Sequence, residues 1–306
     1  MAALAMADAG WSVNVVDPLD AESLSSRERA YALTHSSRRL LESLDLWSDL
    51  EPRLSPFRRL HLCDTGASAA LTFEPSDLPS AAARLGTLPL GWIVRHRDLM
   101  AVLLSRLRAR PTVALHLGVD PRGVSTPPVQ LVLAADGPSS PTRDSLGIRC
   151  WRLPYRQSCL TVQAELRGAV GGQAWELLRP EGPFAVLPLG EYRAQLVWSA
   201  PASRGRQRQD LPDSALLEIL AAVLPDGFEA DGLLDAPRSF PVFLEIARRL
   251  HRGSTLLVGE SAHRCHPVGG QGLNLCWRDV AELHRLAARV RYHHSGCQQH
   301  PVSHAG

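Results

Sequence analysis

The sequence predicts an α/β protein in which a parallel sheet with its helices is interleaved with a mostly β segment. Three stretches carry this prediction. Residues 1–17 follow the order helix, glycine, strand and acid, residues 150–201 are rich in strand patterns, and a short apolar run at 254–258 leads through glycines into a helix. Strands that alternate with helices favour a parallel sheet, whereas a run of strands favours a separate antiparallel layer.

The N-terminal stretch MAALAMADAG predicts a short helix of small residues that ends at Gly10. In WSVNVVDP, the valines predict a buried strand that Asp17 closes. An acid at the end of the second strand of a dinucleotide-binding unit hydrogen-bonds ribose hydroxyls. No strand pattern and no G-x-G-x-x-G loop precede this helix, so the first half of such a unit is expected to be missing. The alternative interpretation of Asp17 is a surface acid after an ordinary strand.

The middle of the chain supplies the remaining elements. Leucine spacing predicts a helix from about Ser36, and the turn residues at 64–66 predict a β-hairpin. WIVRHRDLMAVLLSRLRAR predicts an amphipathic helix, TVALHLGV and VQLVLAADG predict strands, and DSALLEILAAVLP predicts a helix capped by Asp213. The arginine-rich stretches 204–208 and 247–252 are expected to be solvated loops or hairpins.

Composition excludes several classes of protein. Lys plus Arg number 33 and Asp plus Glu number 31, a balance that predicts no general attraction to nucleic acid. Six irregularly spaced cysteines without a C-x-x-C pair favour a reducing compartment, so a cytoplasmic location is expected. The apolar N-terminus lacks the basic region of a signal peptide, and no run is long enough to span a bilayer. Peripheral contact with a membrane is left open.

The stretch GESAHRCHPVGGQGLNLCWRDV, residues 259–280, combines glycines, histidines and a proline between a strand and a helix. A serine nucleophile on a strand-to-helix elbow requires a small residue where this sequence has His263, and Pro267 delays the helix. A zinc site would use His263, Cys265, His266 and Cys276, whose spacing is not that of a tetrahedral site. Cys276 is better explained as a small buried thiol.

A bound anion or cofactor explains the stretch best. Gly269, Gly270 and Gly272 let the backbone approach a ligand closely. The helix that follows, expected over 273–290, begins with free N–H groups and a partial positive charge. Glu260, at the end of the strand, can accept hydrogen bonds from ligand hydroxyls.

The same residues resemble the second FAD-binding motif of the aromatic-ring hydroxylase flavoproteins, roughly G-D-A-A-H-x-x-x-P-x-x-G-Q-G-x-N-x-x-x-x-D. The motif positions are Gly259, Glu260, His263, Pro267, Gly270, Gln271, Gly272, Asn274 and Asp279. A second element, LAADGPSSPTRDSLGI, is similar to the family's D-G-x-x-S-x-x-R pattern at Asp136, Gly137, Ser140 and Arg143. Arg29, in RAYALTHSSRRLLESLDLW, matches an arginine that approaches the cofactor. GPFAVLPL and LVWS resemble the branch that hydroxylates prenylated phenols in ubiquinone biosynthesis.

This resemblance implies a para-hydroxybenzoate-hydroxylase-like fold, in which a Rossmann-like FAD-binding domain is interleaved with a β-sheet substrate domain. It implies that NAD(P)H reduces FAD, and that the reduced flavin reacts with oxygen and hydroxylates an activated ring. Backbone amides at Leu273 and Asn274 would stabilise negative charge on the reduced ring, and Pro267 would flank it. The implied cofactor-binding residues are Asp17, Arg29, Asp136, Gly137, Arg143, Gly259, Glu260, Pro267, Gly270, Gly272, Leu273 and Asn274. No catalytic base and no metal are assigned.

The resemblance also predicts how the chain is divided. Residues 1–50, 91–150 and 246–292 are assigned to the FAD-binding domain, 51–90 and 151–245 to the substrate domain, and 293–306 to an atypical, histidine-rich tail. Relative to the family, this sequence has Glu260 in place of an aspartate and Cys276 in place of a frequent glycine. The first strand, its glycine loop and the C-terminal helices of the family are absent, so the chain is expected to be truncated at both ends.

Three functions follow as hypotheses. The first is an FAD-dependent monooxygenase that acts on a phenolic, prenylated ring. The second is a flavin-dependent isoprenoid reductase of the same fold, and the third is a truncated, inactive chain that binds a lipid or quinone precursor. A small-molecule substrate is expected in the first two cases. Association with a membrane surface, with a second copy of the chain or with a quinone-biosynthesis complex is left open.

Overall fold

The structure is a computed structural model and describes residues 1–79, 88–124, 128–168, 171–190 and 192–297. The helices are α1 Ala2–Asp8, α2 Ala21–Ser25, α3 His35–Ser43, α4 Trp47–Leu50, α5 His96–Ala109, α6 Pro141–Ser145, α7 Ala202–Gln209, α8 Asp213–Ala221 and α9 Gln271–Cys297. The strands are β1 Val13–Asp17, β2 Ala30–Leu33, β3 Ser55–Phe57, β4 Arg59–Asp64, β5 Ala69–Phe73, β6 Gly91–Arg95, β7 Val113–Leu117, β8 Val132–Ala134, β9 Cys150–Arg167, β10 Gln173–Leu178, β11 Phe184–Pro188, β12 Arg193–Pro201, β13 Glu229–Leu233, β14 Arg238–Ala247, β15 His251–Arg252, β16 Thr255–Leu257 and β17 His263–Arg264.

Two small groups of parallel strands form the nucleotide-binding layer. β1 pairs with β7 in parallel, and β8 pairs with β16 in parallel, with β15 as its hairpin partner. The helices α1 and α9 pack on both groups. Their apolar side chains meet in one cluster that contains Met6, Leu283 and Ala287, with Val13 of β1 and Leu256 of β16 packed against it. The two strand pairs therefore share one helix layer.

A larger sheet forms the second layer. Its order is β17-β14-β9-β12-β11-β10-β4-β5, and β13 pairs with β9. One face is covered by α8 and encloses a core that includes Phe184, Leu196, Trp198 and Leu216. The opposite face packs against a small antiparallel sheet of order β2-β6-β3 through a second apolar cluster around Ile93. The fold expected from the sequence, a nucleotide-binding layer combined with a β-rich layer, is therefore present.

Several local predictions are confirmed. α1 ends as expected, because Gly10 has a positive φ of 86° and the amide of Trp11 donates to the carbonyl of Met6 at 3.0 Å. β4 and β5 form the predicted hairpin around residues 64–66. The last helix was predicted over 273–290; it begins two residues earlier, at Gln271, and it continues to Cys297, into the stretch predicted as an atypical tail. The N-cap of α8 is Pro212, so the prediction that Asp213 caps this helix was wrong by one residue.

The prediction that residues 204–208 form a loop was wrong, because they lie in α7. Packing explains the helix. A side chain at Gly205 would collide with the Ser158 hydroxyl, which lies 1.8 Å from the position of a Cβ. The guanidinium carbon of Arg208 lies 3.6 Å from the ring centroid of Trp198, and Arg204 donates to Glu181 at 2.9 Å. Tertiary contacts thus hold a helix that the charge pattern alone does not specify.

Among the described residues, we found no helix that combines the length and apolar character needed to cross a bilayer. The histidine-rich tail predicted from residue 293 onward extends into 298–306, which lies outside the described part of the chain. The predicted domain boundaries stay a prediction.

Candidate cofactor and substrate site

The glycine-rich stretch connects β16 to α9 at the carboxyl end of the parallel strands, the edge at which α/β sheets bind ligands. The chain turns at Gly259, Gly269 and Gly270, whose φ angles are 66°, 67° and 61°. Residues that carry a side chain rarely adopt these φ angles, which explains why glycine occupies the three positions. We refer to residues 267–272 as the glycine bend. It delivers the chain to the first turn of α9, where the leading N–H groups have no acceptor within the helix.

The sequence allows close packing on one side of the glycine bend and free space on the other. A Cβ at Gly270 would lie 3.0 Å from the Cβ of Ala32, so this residue must remain small for the bend to rest on β2. A Cβ at Gly272 or at Gly137 would meet nothing within 4 Å. The open space at Gly272 lies over the start of α9, where backbone amides and the positive end of the helix attract electron-rich groups. These residues therefore fit the edge of a reduced flavin ring.

Asn274 fixes the start of α9. Its side chain is 0% exposed. Its amide nitrogen donates to the carbonyls of Ala32 at 2.8 Å and Gly270 at 2.9 Å. Its side-chain oxygen accepts hydrogen bonds from the Thr34 amide at 3.1 Å and from the Ser37 hydroxyl at 2.6 Å. The side chain of Asn274 thus positions the glycine bend against β2.

The second motif is held against the first by a buried arginine. Arg143 is 6% exposed, and its guanidinium donates to the carbonyls of Pro138 at 3.0 Å and Ser261 at 3.2 Å. It also lies 3.6 Å from a carboxylate oxygen of Glu245, which is itself 7% exposed. Arg143 therefore joins the loop after β8 to the turn at 259–261 through protein contacts.

Asp136 starts this second motif and lies at the surface. It accepts a hydrogen bond from the Ser140 hydroxyl and another from the Thr142 amide at 3.0 Å. Burial acts to raise the pKa of Asp136, but these hydrogen bonds outweigh it and hold the pKa below its ordinary value. Asp136 is therefore an anion next to Gly137, whose positive φ of 82° turns the chain. Both groups follow the carboxyl end of β8.

The other predicted residues lie on separate elements. Asp17 ends β1, where one carboxylate oxygen accepts from the Leu19 amide at 2.8 Å. Arg29 precedes β2, and its guanidinium lies 4.9 Å from the ring centroid of Phe240 on the large sheet. Glu260 is exposed beside the bend, and its charge acts to raise the pKa of Tyr31 on β2. The structure thus brings Glu260 and the glycine bend to β2, whereas Asp17 lies on the neighbouring strand pair.

Ser261 does not have the surroundings of a nucleophile. It is 0% exposed, and its hydroxyl donates to the carbonyl of Ala134 at 2.5 Å and accepts from the Val258 amide at 3.0 Å. These contacts tie the turn at 259–261 to β8, so the hydroxyl is a structural group.

The histidines and cysteines of this stretch also have structural contacts. His263 bonds to Asp279 at 2.7 Å, and His266 bonds to Gln157 at 3.1 Å. A Cβ on Gly259 would lie 3.3 Å from the sulfur of Cys276, and burial raises the pKa of that thiol to about 12. Within the described ranges, no three His, Cys, Asp or Glu side chains are grouped as metal ligands.

Sequence reasoning missed one ionisable group beside the glycine bend. Glu176 lies on β10 of the large sheet, and one of its carboxylate oxygens is 3.4 Å from the amide nitrogen of Gly269. Burial raises the pKa of Glu176 to about 7. The sequence feature that could have indicated Glu176 is an acidic residue within the strand AWELL, between residues that pack in the core.

The fold and this site define a nucleotide-binding α/β protein whose glycine bend faces a β-sheet. Comparisons with known proteins agree. A family described as an FAD binding domain matches residues 122–295. The chain is 32% identical to the ubiquinone hydroxylase UbiL of Rhodospirillum rubrum, over 94% of this chain and 70% of that protein. It is 29% identical to 3-demethoxyubiquinol 3-hydroxylase of Escherichia coli, over 98% of this chain and 79% of that protein.

The solved structure of PqsL from Pseudomonas aeruginosa, in complex with 2-aminobenzoylacetate, has the same fold, with a TM-score of 0.75 and 21% identity over 94% of this chain and 82% of that chain. This chain belongs to the FAD-binding-domain family. The predicted family, fold, FAD cofactor and FAD-dependent monooxygenase class are thereby confirmed. The roles of the individual cofactor-binding residues stay predictions.

Proposed function

We propose that this chain uses FAD, NAD(P)H and O2 to hydroxylate the ring of a phenol, with a prenylated precursor of a quinone as the substrate class. The observation that carries the proposal is the open space over the start of α9 at Gly272, opposite the β10 face of the large sheet. FAD supplies the electron transfer and the activation of oxygen. The contribution of the chain is to hold the ring edge with the first-turn amides of α9, to orient the phenol on the sheet and to exclude water.

The prenylated character of the substrate is supported by a mostly apolar cleft of about 630 Å³ at the start of β10. Its apolar lining includes Leu54, Pro56, Pro89 and Trp92, with Gly172 at the start of β10, and its polar lining residues are Glu51, Ser55 and Arg58. A volume of this size suits a small ligand of mostly apolar surface. Glu176 lies four residues beyond Gly172, a distance of roughly 13 Å along an extended strand, and the buried Ala174 lies between them.

Two measurements test this function. The purified chain is titrated with FAD while flavin fluorescence is followed, and NAD(P)H oxidation is then measured with 2-prenylphenol under isotope-labelled O2. Mass spectrometry should find one labelled oxygen on the ring. Oxidation of NAD(P)H without ring oxygenation would contradict the proposal. Reduction of an isoprenoid double bond without O2 would instead favour the reductase hypothesis.

We also propose that the chain contacts anionic membranes at one surface. Arg149, Arg248 and Arg249 are exposed, and they line an open pocket of about 380 Å³ together with Arg252. Within the part of the chain that the structure describes, these four arginines form no ion pair. Leu250 is 52% exposed in the same stretch of chain. Each basic residue near an anionic surface contributes about 1 kcal/mol of attraction. Participation in an oligomer or a larger complex stays a prediction.

Co-sedimentation with phosphatidylserine-containing vesicles tests this surface. The double substitution Arg248→Glu and Arg249→Glu should lower vesicle binding by about tenfold or more, since two attractive charges become repulsive. The matched control is Arg193→Glu with Arg206→Glu, two exposed arginines on β12 and α7. Equal loss in both variants, or equal binding to vesicles of phosphatidylcholine alone, would contradict a specific anionic-lipid surface.

A further inference from the structure

Glu176 lies on the face of the large sheet that meets the cofactor layer. Side chains alternate along β10. Trp175 belongs to the face covered by α8, where its ring packs at 5.7 Å from that of Phe228. Ala174 belongs to the opposite face and is buried in the cluster shared with β2, β3 and β6. Glu176 projects from the same face as Ala174 and reaches the glycine bend at Gly269.

Two other carboxyl groups with little exposed surface, Glu181 and Glu245, are paired with arginines. Glu181 is bonded to Arg204 at 2.9 Å and to Arg208 at 3.0 Å. Burial acts to raise the pKa of Glu181, but these partners outweigh it and hold the pKa below its ordinary value. Glu245 is similarly placed between Arg143 and Arg152. A buried carboxylate without such a partner costs stability, so proteins keep one mainly where function needs it.

Glu176 differs from Glu181 and Glu245 in its surroundings. Burial raises its pKa to about 7, opposed by the long hydrogen bond from the Gly269 amide. His266 lies beside the same bend, where its Nδ1 accepts a hydrogen bond from the Val268 amide at 3.1 Å, and burial lowers its pKa. Arg29, which precedes β2, and Glu176 both act on the pKa of Cys159 on β9, and burial raises the pKa of that thiol to about 12. Glu176 is therefore a carboxyl group at this interface that can exchange a proton near neutral pH.

We propose that Glu176 is a catalytic residue that accepts the proton of the substrate's phenolic hydroxyl. The inference rests on the hydroxylase function proposed above. In this step the phenolic O–H bond breaks, its electron pair stays on the substrate oxygen, and a new O–H bond forms on a carboxylate oxygen of Glu176. The resulting phenolate donates electron density to the ring carbons ortho and para to the oxygen, which activates them toward an electrophilic oxygen. When the product leaves, the proton returns to its phenolate oxygen.

The position of Glu176 suits this role. The group lies beside the bend that would hold the flavin ring edge. A carboxylate there can accept the hydrogen bond of a phenol directly. It cannot form that bond with the corresponding methyl ether, which has no O–H group. Discrimination between the two compounds therefore reports on Glu176 without any turnover.

The test compares 2-prenylphenol with its methyl ether in the wild type, in Glu176→Gln and in Glu165→Gln. Glu165 is exposed on β9 of the same sheet and serves as the control. Affinity is measured by quenching of tryptophan fluorescence across the pH range around neutrality. In the wild type and the control, the preference for the phenol should increase several-fold as pH rises through about 7, because the carboxylate is the better acceptor. In Glu176→Gln the preference should not depend on pH.

Turnover supplies the second readout. Glu176→Gln should lower kcat by about 10²–10⁴-fold and remove the rise of kcat/KM with pH near neutrality, with FAD affinity unchanged. A Gln variant that keeps the wild-type rate and the wild-type pH dependence of phenol preference would overturn the role of Glu176. A wild-type chain that binds neither the phenol nor the methyl ether would also overturn the role of Glu176. Failure of the proposed function is distinct, because the wild type and the control would then both bind the phenol and leave the ring unoxygenated.

Discussion

The hydroxyl of Ser37 donates a 2.6 Å hydrogen bond to the side-chain oxygen of Asn274, which joins α3 to the first turn of α9 across 237 residues of sequence. The amide of the same asparagine bonds to Ala32 and Gly270. One buried side chain thus connects β2, α3, the glycine bend and α9. Any ligand held by the start of α9 depends on this asparagine for the position of the amides.

Replacing Asn274 with alanine should lower the free energy of unfolding by about 2–4 kcal/mol, because several buried donors and acceptors lose their partners. Urea unfolding followed by tryptophan fluorescence measures the change. The control is Asn14→Ala, an exposed position on β1, where a change within about 0.5 kcal/mol is expected. Equal losses in the two variants would contradict the role assigned to Asn274.

Gly272 and Gly270 should respond differently to alanine. At Gly272 the added methyl group meets nothing within 4 Å, and alanine favours the helix by up to about 1 kcal/mol. Stability should therefore hold or rise, whereas FAD affinity should fall by about tenfold or more, since the methyl group enters the space proposed for the ring.

Gly270→Ala should instead destabilise the protein by about 1–3 kcal/mol, because its φ is 61° and the methyl group would lie 3.0 Å from Ala32. Thermal unfolding and flavin fluorescence titration separate the two effects. A Gly272→Ala chain that binds FAD as tightly as the wild type would show that the ring lies elsewhere.

Removal of the Arg143 side chain should be costly because it leaves the buried carboxylate of Glu245 with one partner, the exposed Arg152 at 3.5 Å. Arg143→Gln should cost about 3–5 kcal/mol, and Glu245→Gln in the same chain should recover part of that loss. Arg152→Gln is the control, with an expected cost below about 1 kcal/mol. Strictly additive effects in a double-mutant cycle of Arg143 and Glu245 would argue against the buried pair.

His263 should make stability depend on pH. The hydrogen bond to Asp279 raises the pKa of His263 against the opposing effect of burial, and the charges of Asp279 and Glu260 add to the increase. Because the pKa of His263 is higher in the folded state, protonation of His263 stabilises the fold. This stabilisation is complete below the pKa of about 6.5 in the unfolded state, and it is lost as the pH rises through the pKa in the folded state.

The free energy of unfolding of the wild type should therefore exceed that of His263→Gln by more at mildly acidic pH than at alkaline pH. Urea unfolding at several pH values measures this difference. His251→Gln, at an exposed position on β15, should show no such trend. A difference for His263→Gln that grows toward alkaline pH would contradict the assignment.

The predictions that held concern features set by neighbouring residues. Gly10 ends α1 because glycine adopts the positive φ that a helix end requires, and the bend at 269–270 needs glycine for the same reason. The hairpin at 64–66 and the helix after the bend follow from turn residues and apolar spacing. The stretch at 204–208 was predicted wrongly because its helix depends on Ser158 and Trp198, which the local pattern does not include.

The sequence by itself determined the strand at 254–258, the glycine bend, the helix that follows the bend and their resemblance to an FAD-binding motif, because these depend on local backbone preferences. Only the tertiary structure decided where the side chains around them point. Arg143 and Asn274 turn inward and bond to protein groups, and Glu176 meets Gly269 across 93 residues. Such contacts arise from the pairing of distant strands, so no spacing within a short stretch of sequence encodes them.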